Sequence, residues 1–129
     1  MEKTEKNRPL SPHLTIYRPQ YTSVLSILHR ITGVGLSFSA MLVCLWFLSA
    51  SMGINYFAPY KKLMLSFPIQ IIFVLSVWGI WFHTCTGVRH LIWDFGYGLD
   101  TRWIKLSAWA VLSVSLCLSI FTIYIGWRV

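Results

Sequence analysis

The chain has 129 residues, of which 56% are hydrophobic and 12% charged, with 11 Lys or Arg against 4 Asp or Glu. An ordinary soluble domain carries about 25% charged residues, so a soluble enzyme, a disordered tail and a disulfide-stapled secreted domain are excluded. The net charge of +7 does not point to nucleic acid either, because basic residues in so apolar a chain set membrane orientation.

The first element is an N-terminal segment, 1–21, interrupted by Pro9, Pro12 and Pro19. It has no apolar core of a signal peptide and is not the acid-free, Arg-rich stretch of a transit peptide. That fits a bacterial chain, or one synthesised inside an organelle. The prolines push Ser11 and Arg18 out of helical geometry, and the segment is expected to lie extended on the membrane surface. Three charge-free runs follow, 31–60, 63–88 and 106–127. About 20 apolar residues cross a bilayer as a helix, so the reading is an all-α integral membrane domain over 22–129. Its three transmembrane helices are expected near 24–53, 64–94 and 103–127. A β-barrel is excluded because the runs do not alternate apolar with polar and three strands cannot close. Eight of the 11 basic residues fall on the side of the N-terminus and the second loop, against Lys61, Lys62 and Arg128 on the other. The N-terminus is therefore expected inside, on the cytoplasmic or organellar-matrix face. Trp103, Tyr124 and Trp127 fit interfacial belt positions. Cys44, Cys85 and Cys117 fall one in each run without metal-ligand spacing, and read as small buried side chains.

Each helix carries a polar or small-residue stripe. Ser26, His29, Arg30, Gly33 and Ser37 share one face of the first, and Ser76, Gly79, His83, Gly87, His90 and Asp94 one face of the second. Ser115, Ser119, Thr122 and Gly126 make a small-residue seam on the third, as close helix packing requires. Small residues explain packing; His and Arg do not. His83 lies inside a charge-free run beside Trp78, Trp81 and Phe82, where a polar group is expensive and points to function. A hydrogen-bonded structural histidine, a proton relay and a metal or haem ligand are all open readings, imidazole being a standard axial ligand of b-type haem. Gly79 and Gly87 would leave bare helix surface for a flat macrocycle.

His90 cannot be the second axial ligand, because seven residues span about 10.5 Å along a helix, whereas two axial nitrogens sit roughly 4 Å apart across one iron. His29 starts another helix near its inner end and reads as too shallow. If His83 ligates a haem with both axial positions filled by protein, the second ligand is therefore expected from another chain. His29, Arg30, Arg89, His90 and Asp94 form a separate, shallow cluster at the inner interface. There Arg89 reads as a snorkelling anchor. Arg30 with Ser26 and His29 suits haem propionates or a quinone carbonyl in an apolar slot.

Three motifs extend this reading. Arg8-Pro9-Leu10-Ser11-Pro12-His13-Leu14, Ser26-Ile27-Leu28-His29-Arg30-Ile31-Thr32-Gly33 and the stretch from His83 to Asp94, H-x3-G-x-R-H-x3-D, occur in that order. Together they resemble the cytochrome b556 family of succinate dehydrogenase subunits, the larger membrane anchors of respiratory complex II, in its mitochondrial and α-proteobacterial branch. The resemblance covers the whole chain, with no departure at the motif positions. It implies that His83 is an axial ligand of haem b, with the opposite ligand from a histidine of the smaller anchor subunit. It implies that Ser26 and Arg30 contact ubiquinone, and that His29 and Arg30 lie near the haem propionates. Asp94 matches an acidic residue near the quinone pocket, where it is expected to orient Arg30. Flavin and iron–sulfur clusters would belong to two soluble subunits, a flavoprotein and an iron–sulfur protein, so succinate oxidation would not occur on this chain. Arg30 and Ser26 would hold the quinone and the charge that develops on it, with protons reaching it through water or an Asp94-linked path. The alternatives are a fumarate reductase-type anchor and a cofactor-free structural membrane subunit.

Overall fold

The computed structural model describes residues 17–128, which contain four helices: α1 (Tyr21–Ser51), α2 (Ile54–Met64), α3 (Phe67–Asp94) and α4 (Thr101–Arg128). Three of them, α1, α3 and α4, are long and apolar enough to cross a membrane. The expected surface segment falls mostly outside the described residues, including Arg8 to Leu14. Its described end, 17–20, is non-helical, and the Tyr17 hydroxyl lies 2.8 Å from Ser23 Oγ.

The first charge-free run does not make one helix. Gly53 has φ of +99°, a backbone state that a side chain strains, and it ends α1. The chain then turns into α2, which the apolar pattern did not reveal, and which returns along α1. Phe57 comes to 6.2 Å from Trp46, ring centre to ring centre, and the Tyr60 hydroxyl donates to the Leu42 carbonyl at 2.7 Å. Lys61 and Lys62 occupy the last turn of α2, where positive charge complements the helix dipole. α3 begins after Ser66 with Pro68 in its first turn, a position where the missing N–H costs nothing. It stops in a Schellman turn: Gly96, at φ +81°, donates to the Trp93 carbonyl at 2.8 Å, and Tyr97 donates to the Ile92 carbonyl at 3.2 Å.

α3 is the central helix, packed on α1 along one side and α4 along the other. Where the three meet, Leu25, Phe82, Ala108 and Val111 form the buried core, with Leu28, Trp78, Cys85 and Leu112 against it. The α4 seam is real but shorter than expected. Ser115 and Ser119 are buried, and each hydroxyl satisfies itself on a carbonyl of its own helix. Thr122 and Gly126 are exposed, although Thr122 accepts the Trp81 indole N–H at 2.9 Å. The cysteines correct the expectation of burial: Cys44 and Cys117 are exposed and Cys85 is half-buried. A thiol facing hydrocarbon meets no penalty, so apolar sequence surroundings do not imply an interior position. α1 is the least covered span, with 6% of its most apolar stretch buried against 22% for α4.

Candidate functional site

The polar stripes of α1 and α3 face each other. Gly33 lies under the His83 ring, Gly79 against Leu36, and Gly87 faces His29, where an added Cβ would lie 4.0 Å from Cε1. Ser39 Oγ meets Ser76 Oγ at 2.6 Å further along the same seam. Antiparallel packing thus brings position 29 level with position 83. The His29 and His83 rings stack with centroids 3.8 Å apart and planes 12° from parallel. His90 stands edge-on to His29 at 5.4 Å, and Trp93 edge-on to His90 at 5.6 Å.

This corrects the division into a deep His83 and a shallow cluster. His29, His83 and His90 form one continuous array, because depth is set by the register between helices and not by where a charge-free run begins. His29 is still unsuited to the opposite side of an iron held by His83. Axial nitrogens face each other roughly 4 Å apart across the metal, whereas rings stacked face to face at 3.8 Å leave no room between them.

Each ring is engaged by the opposite helix. His83 Nδ1 lies 3.1 Å from the His29 carbonyl and 3.3 Å from Thr32 Oγ1. His29 Nδ1 lies 2.6 Å from Thr86 Oγ1, and the Thr86 hydroxyl itself donates to the carbonyls of Phe82 and His83. The His83 hydrogen bonds all involve Nδ1, so Nε2 retains its capacity as a ligand. A ring with one nitrogen anchored to a backbone carbonyl is usual for a metal-binding histidine, and Gly33 makes room for this ring, whereas the Gly79 and Gly87 surfaces expected to carry a macrocycle face Leu36 and His29. The residues therefore fit a haem iron at His83 Nε2. Among the described residues no cluster of three or more His, Cys, Asp or Glu could hold a bare metal ion.

Ser26 is half-buried and Arg30 exposed, one turn apart on α1 beside His29. Asp94 is exposed at the end of α3, and among the described residues no hydrogen bond joins it to Arg30. A pocket of about 290 Å³ opens between α1 and α4 at the same end, lined by Pro19, Tyr21, Leu25, Leu28 and Trp109 among others, but not by Ser26 or Arg30.

Arg89 departs from its expected role. It is 5% exposed, donates from Nε to Ser107 Oγ at 2.9 Å and from Nη2 to the Ile104 carbonyl at 3.2 Å, and stacks over Trp93 at 3.9 Å. It ties the end of α3 to the start of α4 and does not snorkel. Sequence reasoning also missed Thr32 and Thr86. Each lies three residues beyond a histidine, on the same helical face, which is the signal that could have found them. Replacing Arg89 by methionine keeps the stem and removes every donor. One lost charged hydrogen bond is worth about 1.5–3 kcal/mol, so the thermal midpoint of the solubilised complex should fall clearly. A midpoint matching the parent would show that α4 is held by apolar contacts alone.

Residues 4–122 match the family described as succinate dehydrogenase/fumarate reductase transmembrane subunit. The chain is 40% identical over 127 residues to the succinate dehydrogenase cytochrome b556 subunit of Rickettsia bellii, covering 95% of this chain and 97% of that one. It is 36% identical over 119 residues to the subunit of the same name in Paracoccus denitrificans, covering 92% of each. It is 40% identical over 118 residues to the cytochrome b560 subunit of Chondrus crispus, covering 87% of this chain and 91% of that one. With three membrane-length helices and this coverage, the chain belongs to the succinate dehydrogenase/fumarate reductase transmembrane subunits, as a multi-pass cytochrome b anchor of the succinate dehydrogenase complex and not one of its catalytic subunits.

Proposed function

We propose that this anchor holds one haem b through His83, shared with a histidine of a smaller anchor subunit, and binds ubiquinone with Ser26 and Arg30. The carrying observation is the His83 ring, anchored on α1 through Nδ1 and leaving Nε2 for iron. When bound, haem supplies a one-electron store between the soluble subunits and the quinone. The relatives' names as cytochromes support the haem. Their name as succinate dehydrogenase subunits favours succinate oxidation over a fumarate reductase-type role. The stacked geometry of His29, and the largely uncovered surface of α1, support a second membrane subunit beside α1. Eight of 11 basic residues support an N-terminus on the cytoplasmic or matrix face of a bacterial or mitochondrial inner membrane. A flavoprotein and an iron–sulfur subunit would dock on that face.

On this reading His29 and Arg30 present donors to the haem propionates, and Arg30 also donates to a quinone oxygen with Ser26 one turn away. The exposed guanidinium is available for both because no partner within the described chain occupies it. Asp94 would act from the facing helix by orienting a donor or passing a proton. The quinone slot would be completed by neighbouring subunits.

Arg30→Lys tests this. Lysine keeps the charge and loses the planar, multi-donor head. Quinone reduction by the intact complex should fall roughly ten- to hundredfold, from the worth of one charged hydrogen bond, while succinate oxidation with a dye acceptor persists. Ser26→Ala should cost less, because a neutral donor contributes less. Normal quinone turnover in both variants, with the soluble subunits still on the membrane, would remove both residues from the site.

A further inference from the structure

We propose that Thr32 is a positioning residue for His83: with the His29 carbonyl it fixes which ring nitrogen carries the proton, and so tunes the iron that Nε2 would hold. The inference rests on the reading of His83 as a haem ligand.

The assignment follows from counting protons. The Thr32 hydroxyl has one, and it donates to the His29 carbonyl at 2.9 Å. Its oxygen then faces His83 Nδ1, 3.3 Å away, as an acceptor. The other neighbour of Nδ1, at 3.1 Å, is that same His29 carbonyl, which can only accept. A lone pair on Nδ1 would point at two oxygens. A proton on Nδ1 satisfies both. His83 is therefore the Nδ1–H tautomer, with its lone pair on Nε2. Gly33, having no side chain, leaves the ring room against α1, since a Cβ there would lie 3.0 Å from His83 Cε1, and the ring is stacked on that of His29.

An acceptor on the far nitrogen raises the basicity of a ligating imidazole. A more basic ligand favours ferric over ferrous iron and lowers the reduction potential, one of the ways a protein tunes haem. Removing the Thr32 oxygen leaves Nδ1–H a single acceptor, so the potential should rise.

The experiment compares Thr32→Val with Thr32→Ser in the assembled complex. It follows haem content and a potentiometric titration of the haem absorption band, with His83→Ala in parallel. Valine matches threonine in shape and lacks the hydroxyl; serine keeps the hydroxyl and lacks the methyl. The valine variant should keep most of its haem and show about a three- to tenfold loss of ferric-over-ferrous preference, tenfold corresponding to 59 mV upward for one electron. The serine variant should titrate with the parent. Loss of haem from the valine variant but not the serine variant would also support the hydroxyl's role. A valine variant at the parental potential, or a serine variant that shifts or loses haem as much as valine, would show that Thr32 only packs. A native spectrum retained in His83→Ala would instead remove the ligand reading, whatever the Thr32 variants do.

Discussion

His83→Ala should leave the complex assembled but without its native b-type haem spectrum. Loss of a partner that merely orients a ligating histidine lowers metal affinity about 10- to 100-fold, so loss of the ligand itself should cost more. His29 is not placed to substitute. Its ring lies parallel to that of His83 with centroids 3.8 Å apart, and the 2.6 Å contact of its Nδ1 with Thr86 holds it there, displaced from the place of the His83 ring. His90 lies beyond His29, edge-on at 5.4 Å. A reduced-minus-oxidised spectrum of purified membranes, normalised to the amount of flavoprotein, reads the outcome. A fully retained native spectrum would refute ligation by His83. Absence of a haem band from the parent membranes as well would favour the cofactor-free structural subunit.

Gly33→Ala should have nearly as large an effect on haem and a much smaller one on the helix. The added Cβ would meet His83 Cε1 at 3.0 Å, and the ring cannot simply give way. Its Nδ1 is bonded to α1 and its face is stacked on His29. Either the ring tilts out of its hydrogen bonds or α1 and α3 separate, and overpacking of this kind costs typically about 1–3 kcal/mol. Displacing the ligand from Thr32 and the His29 carbonyl predicts roughly a 10- to 100-fold weaker hold on haem. Gly35→Ala is the control on the same helix, since nothing lies within 4 Å of its added Cβ. Alanine there should be neutral or slightly stabilising, because glycine is the poorer helix former by about 1 kcal/mol. The ratio of haem to flavoprotein in the two assembled complexes is the measurement. Equal ratios in both would show that the Gly33 contact relaxes at no cost to the site.

The sequence alone determined the membrane class, because length and continuity of apolar runs are local properties and the bilayer imposes one scale on all of them. It also singled out the residues of the candidate site. Ser26, His29, Arg30, Gly33, His83, Gly87, His90 and Asp94 stand out because polar and small side chains are rare in such runs, and helical spacing sorts them onto faces without any tertiary contact. Which faces meet, and at what level, is a property of two helices at once, and only the tertiary structure decided it. The register of α1 against α3 put His29 beside His83 instead of a depth below it. The same register aimed the His29 carbonyl and Thr32 at Nδ1, so that Nε2 is the nitrogen left over. Arg89 looked like an anchor because burial of its guanidinium depends on Ser107 and the Ile104 carbonyl, acceptors on a helix that the pattern of α3 cannot register. α2 escaped notice for the complementary reason: a single glycine at positive φ redirects a chain whose apolar composition continues unchanged. Composition reports the solvent a segment needs, and packing alone reports which atoms within that segment touch.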